Sequence, residues 1–406
     1  MKKCLVISFL CASAVVALGD WLYSGSTLTE CDSTGTPLAE GAWVFSATAA
    51  KTLTEAGEKR LTVTCSTVGT NPTVDFASKI HVPEGGTPGV IVTIPKGCFS
   101  AASSSALPTT VKLPDTLTTI GESAFSFAHI TTIEPFLPDS VASIAQKAFM
   151  GCGVTGALRI GHGGNALTNP YLFSGTKITS VDIGEGVTAI GKYVFSGCSS
   201  LTSVKLPDTL VSIGGEVFKG CTALETIEPF FPSSVTTVGY RAFWESTAIT
   251  SPLTIGGNKE SSYSYDQIFY RASNPGIPSI TIGEGITSLS GSYFLSYISG
   301  ATEIKFLCDR PTIASGAFNR NAKTAPLTCR VYLPASLPGW SEFLKDAVVP
   351  WSDVSEEDKA VYFENFGEDA NIPDGILQEV DSSMGGLRNQ WYFNTSISAG
   401  LTIFVR

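Results

Sequence analysis

A phenylalanine returns along this chain at a nearly constant step: Phe99, Phe125, Phe149, Phe173, Phe195, Phe218, Phe243, Phe269, Phe294 and Phe318 are separated by 22 to 26 residues. A period in the twenties is too short for a helix pair or a propeller blade. It suits a unit of one strand and one return segment, which buries its apolar face only by stacking on the next copy. About ten such units predict a β-dominated solenoid.

One unit can be read from "LTSVKLPDTLVSIGGEVFKGC", Leu201 to Cys221. Val204 and Leu206 flank Lys205 with the period of two that marks a strand with one face in the core. Pro207 and Asp208 turn the chain, Ile213 points back inward, Gly214 permits a tight bend and Phe218 closes the coil. Five residues before the Phe, eight of ten units carry Ile, Val or Leu: Ile94, Ile120, Ile144, Ile190, Ile213, Val238, Leu289 and Ile313. The exceptions, Thr168 and Ser264, occupy matching places in a longer repeat. "LPDTLTTIGESAF" from Leu113 returns as "LPDTLVSIGGEVF" from Leu206, and "IEPFLPDSV" from Ile133 returns as "IEPFFPSSV" from Ile227. The duplicated block is therefore four coils long, 93 residues from Leu113 to Leu206.

The phrase "LPDTLVSIGGEVFKGCTALETI" resembles the BspA-type leucine-rich repeat, with its strand-ending proline, Ile-Gly, aromatic and Gly-Cys, over residues 91 to 338. "VYLPASLPGWSEFLKD" from Val331 resembles the closing segment of that family. The resemblance implies a right-handed coil with a parallel β-sheet on its concave face. It also implies a surface or secreted protein, in a family several of whose bacterial and protist members are implicated in attachment. The chain departs from the family pattern in the third coil of each block, where inserts such as "SSYSYDQIFYRAS" replace the usual return.

Outside the repeats, "MKKCLVISFLCASAVVALGDW" combines two lysines, a short apolar run and small residues, the pattern of a secretory signal peptide cut after Gly19. Neither Cys4 nor Cys11 lies in a convincing lipobox. The expected location is secreted or cell-surface, in a bacterial source, with no transmembrane span after cleavage. Removal of residues 1–19 takes away Lys2 and Lys3 and leaves 24 basic against 36 acidic residues, a net charge of −12 that disfavours a nucleic-acid partner. Residues 20–90 contain short β-like runs such as "GAWVFS" and "KRLTVTC" and form an N-terminal β module or cap; the solenoid with its closing segment occupies 91–350. Residues 351–406 hold ten acids and three bases. Three roles are open to this acidic module: a C-terminal cap, a surface-sorting domain or part of a binding module.

Eight cysteines remain after cleavage, of which Cys152, Cys198 and Cys221 each follow a repeat Phe by three residues. That regularity points to small buried ladder residues. Two disulfides are expected in an exported protein, Cys31 with Cys65 and Cys308 with Cys329.

No constellation for chemistry emerges. His81, His129 and His162 have no metal-ligand spacing, no G-x-S-x-G occurs, and Asp115, Asp139 and Asp208 repeat at the same turn. We therefore expect no enzyme activity, no cofactor and no metal. The outward residue of each strand would instead form a ladder on a sheet about 45 Å long. Lys112, Glu134, Arg159, Asp182, Lys205, Glu228, Lys305 and Tyr332 are its candidate ligand-binding residues, with Thr254 and Thr281 between them and Phe136 and Phe230 as aromatic anchors. The leading reading is an exported adhesin binding a protein or glycan on another cell or matrix surface. The alternatives are a structural component of the producer's envelope and, more remotely, an enzyme sited in the end modules.

Overall fold

Three rows of backbone hydrogen bonds, each interrupted in places, hold the coils together in a computed structural model. It describes residues 20–313 apart from 39–41, 68, 70, 101–107, 162–166, 257–260, 265–267, 270–275, 291–300 and 302. Beyond these it describes 329–333, 337–339, 348–356, 359–360, 375–377, 391–394 and 401–405. The expected signal peptide, Phe294 and Phe318 lie outside the described residues.

The first row is the ladder of strands. Thr73–Asp75, Thr110–Lys112 and Thr132–Glu134 pair in parallel, as do Thr155–Ile160, Lys177–Ile183, Ser203–Lys205 and Thr226–Glu228, and then Leu253–Ile255, Ser279–Ile282, Glu303–Phe306 and Cys329–Leu333. This row forms the concave sheet of the solenoid. It opens at Thr73–Asp75, inside the segment the repeat pattern left to the N-terminal module. The second row is the return, with short strands such as Thr119–Ile120, Ser143–Ile144 and Ser212–Ile213 that bury their isoleucines. The third row lies at the Phe corner, where the Phe149 amide donates to the Leu172 carbonyl at 2.9 Å and the Phe218 amide to Ala242 at 2.8 Å.

Inside the coils the repeat phenylalanines form one stack. From Phe99 to Phe269, eight rings make seven contacts with centroids 5.0 to 5.7 Å apart and planes within 18° of parallel. Every one of these rings is fully buried. Two residues before seven of the rings the backbone is left-handed, at Gly97, Ser123, Lys147, Tyr171, Tyr193, Glu216 and Arg241, and it is left-handed again two residues after six of them, at Phe127, Gly151, Gly175, Gly197, Gly220 and Glu245. Glycine adopts that conformation at least cost, which accounts for the glycine of each "FxGC". The glycine of "IG" has another reason: a Cβ on Gly214 would lie 2.5 Å from the Gly191 carbonyl carbon, so coils could not approach.

The two apparent exceptions to the inward isoleucine are single-residue shifts. Leu167, fully buried, bridges Ile190 in the return row in place of Thr168, and Tyr263 stands opposite Leu289 in place of Ser264.

At the N-terminal end, antiparallel strands Asp20–Ser24, Thr27–Cys31, Val44–Leu53 and Lys59–Thr67 continue the return-row sheet through Gly89–Ile94. Their aromatics end the stack: Phe45 and Phe76 pack on Phe99 at 6.0 and 6.1 Å, backed by Trp21 and Trp43. A buried carboxylate ties this module together, Glu30 accepting from the Trp43 amide at 3.1 Å and from Asn71 Nδ2 at 2.8 Å. At the other end, Leu401–Val405, Trp391–Asn394, Gly375–Leu377 and Val348–Pro350 extend the ladder row in antiparallel sense. A helical turn begins at Ser355, with the Lys359 amide donating to the Ser355 carbonyl at 3.0 Å.

Removing one ring from the stack leaves a cavity that its neighbours cannot fill without shifting. Phe173→Ala is expected to lower unfolding stability by about 3–5 kcal/mol in urea titration, against a change within about 0.5 kcal/mol for Lys205→Ala.

Candidate functional site

The exposed face of the ladder row follows from strand alternation. Val111, Ile133, Leu158, Val181, Val204 and Ile227 are buried, so the residue after each faces out. Register then fixes who stands beside whom. Asp75, Lys112 and Glu134 are Cα partners in the first sheet, and Arg159, Asp182, Lys205 and Glu228 in the second. Thr254, Thr281, Lys305 and Tyr332 follow in the third, where the Tyr332 side chain lies outside the described residues. Charge alternates in sign across neighbouring coils, and two pairs close: Lys112 Nζ to Asp75 Oδ2 at 3.4 Å and Arg159 Nε to Asp182 Oδ2 at 3.7 Å. The Arg159 side chain nonetheless stays 73% exposed. Opposite charges side by side support the stacking of coils, and the side chains of Glu134, Arg159, Lys205 and Glu228 remain exposed to a ligand.

The two aromatic anchors separate. Phe230 is core, not face: it is 3% exposed, and its ring packs against Phe231, Phe243 and Phe269. Phe136 is half-buried, tilted against Phe149 at 5.8 Å and Phe173 at 6.0 Å, and lines a cleft of about 410 Å³. Asp115, Pro135, Pro138, Asp139 and Arg159 share that lining. The cleft forms where the ladder breaks. Thr132–Glu134 ends one sheet, Thr155–Ile160 begins the next, and the chain leaves Glu134 through Pro135, which has no amide to donate. Sequence reading explained Asp115 and Asp139 as turn residues, and they are: Leu117 donates to Pro114 and Val141 to Pro138 across the two turns.

A second, half-buried feature was not read from the sequence. At the left-handed corner ahead of the Phe stack, Tyr171 and Tyr193 stack at 4.5 Å and 2°, and Tyr193 donates to Glu216 at 3.3 Å. Farther along, Trp244 lies between Lys219 and Arg241, 3.9 and 4.6 Å from its ring centre. Only a count of two residues back from each Phe would have put the tyrosines in one column.

Strand order separates the cysteines of both expected disulfides. Phe45 is the register partner of both Leu28 and Cys65, which places Cys65 two strands from Leu28 and three residues out of line with Cys31. Two strand spacings are about 9.5 Å, beyond the Cα reach of a disulfide. Cys329 pairs at the start of the strand Glu303–Phe306, whereas Cys308 lies past its end, about 13 Å along. The repeat cysteines are buried thiols that tie coils together: Cys198 Sγ donates to the Phe173 carbonyl at 3.2 Å, Cys221 Sγ to Phe195 at 3.2 Å, and Ser246 takes the same place against Phe218 at 2.7 Å. Burial pushes Cys152 and Cys198 up to about 11 and Cys98 up to about 12. A neutral thiol of this kind is neither a nucleophile nor a metal ligand at physiological pH.

The histidines do not converge. His81 Nε2 pairs with Asp20 Oδ2 at 2.8 Å, His129 is exposed on another coil, and His162 lies outside the described residues. Among the described residues no group of three His, Cys, Asp or Glu is placed to hold a metal ion, and no helix is long and apolar enough to cross a membrane.

The repeat is matched by a family model described as BspA type leucine rich repeat region, in six copies over residues 76–201, 134–250 and 188–325. Curated proteins provide no match. Among solved structures, the chain is similar to a leucine-rich repeat protein from Bacteroides ovatus, with 23% identity over 64% of this chain and 69% of that one and a TM-score of 0.45. It is also similar to the pneumococcal vaccine antigen PcpA, with 18% identity over 75% and 94% of the two chains and a TM-score of 0.38. A leucine rich cell surface protein from Faecalibacterium prausnitzii shares 17% identity over 68% and 97%, with a TM-score of 0.32.

The thiols carry a pH dependence. Their folded pKa lies above the free value near 9, so the folded state holds the proton more tightly, and their contribution is fully present below pH 9 and lost as pH rises toward about 11. Melting temperature is expected to fall across that window in the native protein, and to fall less in the Cys152→Ala, Cys198→Ala double variant.

Proposed function

Because the chain belongs to the BspA-type leucine-rich repeat family, we propose that it is an exported, non-enzymatic recognition protein that attaches to a protein on another cell or matrix surface through its ladder face. The observation that carries this reading is the ladder itself. Arg159, Asp182, Lys205 and Glu228 stand in register on consecutive coils with their head groups turned out of the core. A rigid row of fixed spacing can match a complementary row of charges on a partner, and solenoids present such extended surfaces for binding. The buried thiols and the scattered histidines speak against a catalytic centre in the repeats.

Charge reversal tests the reading. The Arg159→Glu, Lys205→Glu double variant should stay folded with a modestly lower melting temperature, since the row of carboxylates it creates lies at the surface, where repulsion is screened. Its saturable binding to a panel of matrix proteins, mucins, bacterial glycans and the producer's own wall should weaken by about tenfold or more. Unchanged binding would remove the ladder face from the proposal, and binding to the producer's wall alone would favour an envelope component instead.

A further inference from the structure

We propose that the cleft beside Phe136 is a peptide pocket for a basic segment, taking a cationic side chain between Asp115 and Asp139 and its apolar neighbour on Phe136 and Pro135. This rests on the recognition reading above and specifies where and what it recognises.

The duplicated block supplies an internal comparison. In both copies the ladder breaks after the EPF coil, between Thr132–Glu134 and Thr155–Ile160 in the first and between Thr226–Glu228 and Leu253–Ile255 in the second. Both copies keep the two prolines and the phenylalanine, and the Glu134–Pro135 and Glu228–Pro229 bonds are both cis. The lining differs. Where the first copy has Leu137, Asp139 and Arg159, the second has Phe231, Ser233 and Thr254. Phe231 and Phe230 pack on each other at 5.1 Å, 2% and 3% exposed, so the second copy spends its aromatic surface in the core. The same backbone frame tolerates both sets, so the charged lining of the first copy is not a requirement of the fold.

The charge of the cleft selects the ligand. Asp115 and Asp139 occupy the same turn position on consecutive coils, both exposed, and neither enters an ion pair among the described residues. Neighbouring coils step by about 4.8 Å, a spacing that lets two carboxylates share one guanidinium or ammonium. Arg159, the one cation among the described lining residues, leans on Asp182. The unmet charge is therefore negative. Pro135, Pro138 and the open part of Phe136 add an apolar floor beside it, and the volume of about 410 Å³ suits one or two side chains. An apolar group next to a cation is a peptide chemistry; neutral and acidic glycans lack it.

The test uses the full exported chain and a fluorescein-labelled peptide of sequence SLRSLRSLRS, with SLESLESLES, SARSARSARS and a neutral N-acetylglucosamine oligomer as competing probes. Fluorescence anisotropy should show saturable binding of the Leu-Arg peptide, weaker by about tenfold in the Asp115→Asn, Asp139→Asn variant and unchanged in Asp208→Asn, the second-block counterpart. Binding should also weaken as salt rises from about 0.05 to about 0.3 M. Equal binding by the double variant, equal binding of the Ala-Arg peptide, or preference for the acidic peptide or the oligosaccharide would overturn the pocket. The surface panel, run on the same variants and on Lys205→Glu alone, separates the two proposals. Panel binding lost only in Lys205→Glu overturns the pocket and leaves the ladder reading in place, and panel binding indifferent to every variant removes both.

Discussion

Ring stacking at the centre of the solenoid sets the dimensions of everything around it. Seven successive phenylalanine contacts, 5.0 to 5.7 Å between centroids, run slightly longer than the separation of about 4.8 Å between hydrogen-bonded strands. Each coil must therefore return to the same place at the same height. That demand explains the left-handed residues on either side of each ring and the glycines where one coil's backbone meets the next. It also explains the cap: a stack of exposed rings would end in water, and Phe45 and Phe76 cover Phe99 instead. Cys198 and Cys221 belong to the same frame, their thiols donating to the Phe carbonyl of the preceding coil.

Much of this frame was legible because a repeat displays contacts between copies directly. The column of Phe, the inward isoleucines, the alternation around Lys205 and the buried cysteines all follow from asking which positions recur. The failures fall where recurrence stops. Thr168 and Ser264 broke the column because the third coil of each block is shifted by one residue, so that Leu167 pairs with Ile190 and Tyr263 with Leu289. Cys31 and Cys65 looked like partners because both lie outside the repeat, and only the strand order of a non-repeating module shows them two strands apart. Phe230 was read with Phe136 because their phrases match; one residue of difference, Phe231 for Leu137, puts a second ring beside it in the core.

The exposed ladder is the part of each coil that the stack does not dictate. Its strands are held from within by Val181, Val204 and Ile227, so the exposed residues beside them can change at small cost to the fold. Alternating charge on consecutive coils then has two effects. It offsets repulsion along the sheet, and it gives the face a pattern instead of a single field, which favours selective docking over general attraction. Divergence between the two four-coil blocks fits the same view, with the frame retained and the lining rewritten.

Covalent footprinting of the protein while it is attached to the surface it binds would test the claim that recognition runs along the ladder. The account predicts protection at Lys112, Glu134, Asp182, Lys205 and Glu228, with labelling unchanged at the stacked pair Tyr171 and Tyr193 on the opposite corner of the coil. Protection of the tyrosine corner with an unprotected ladder would contradict it.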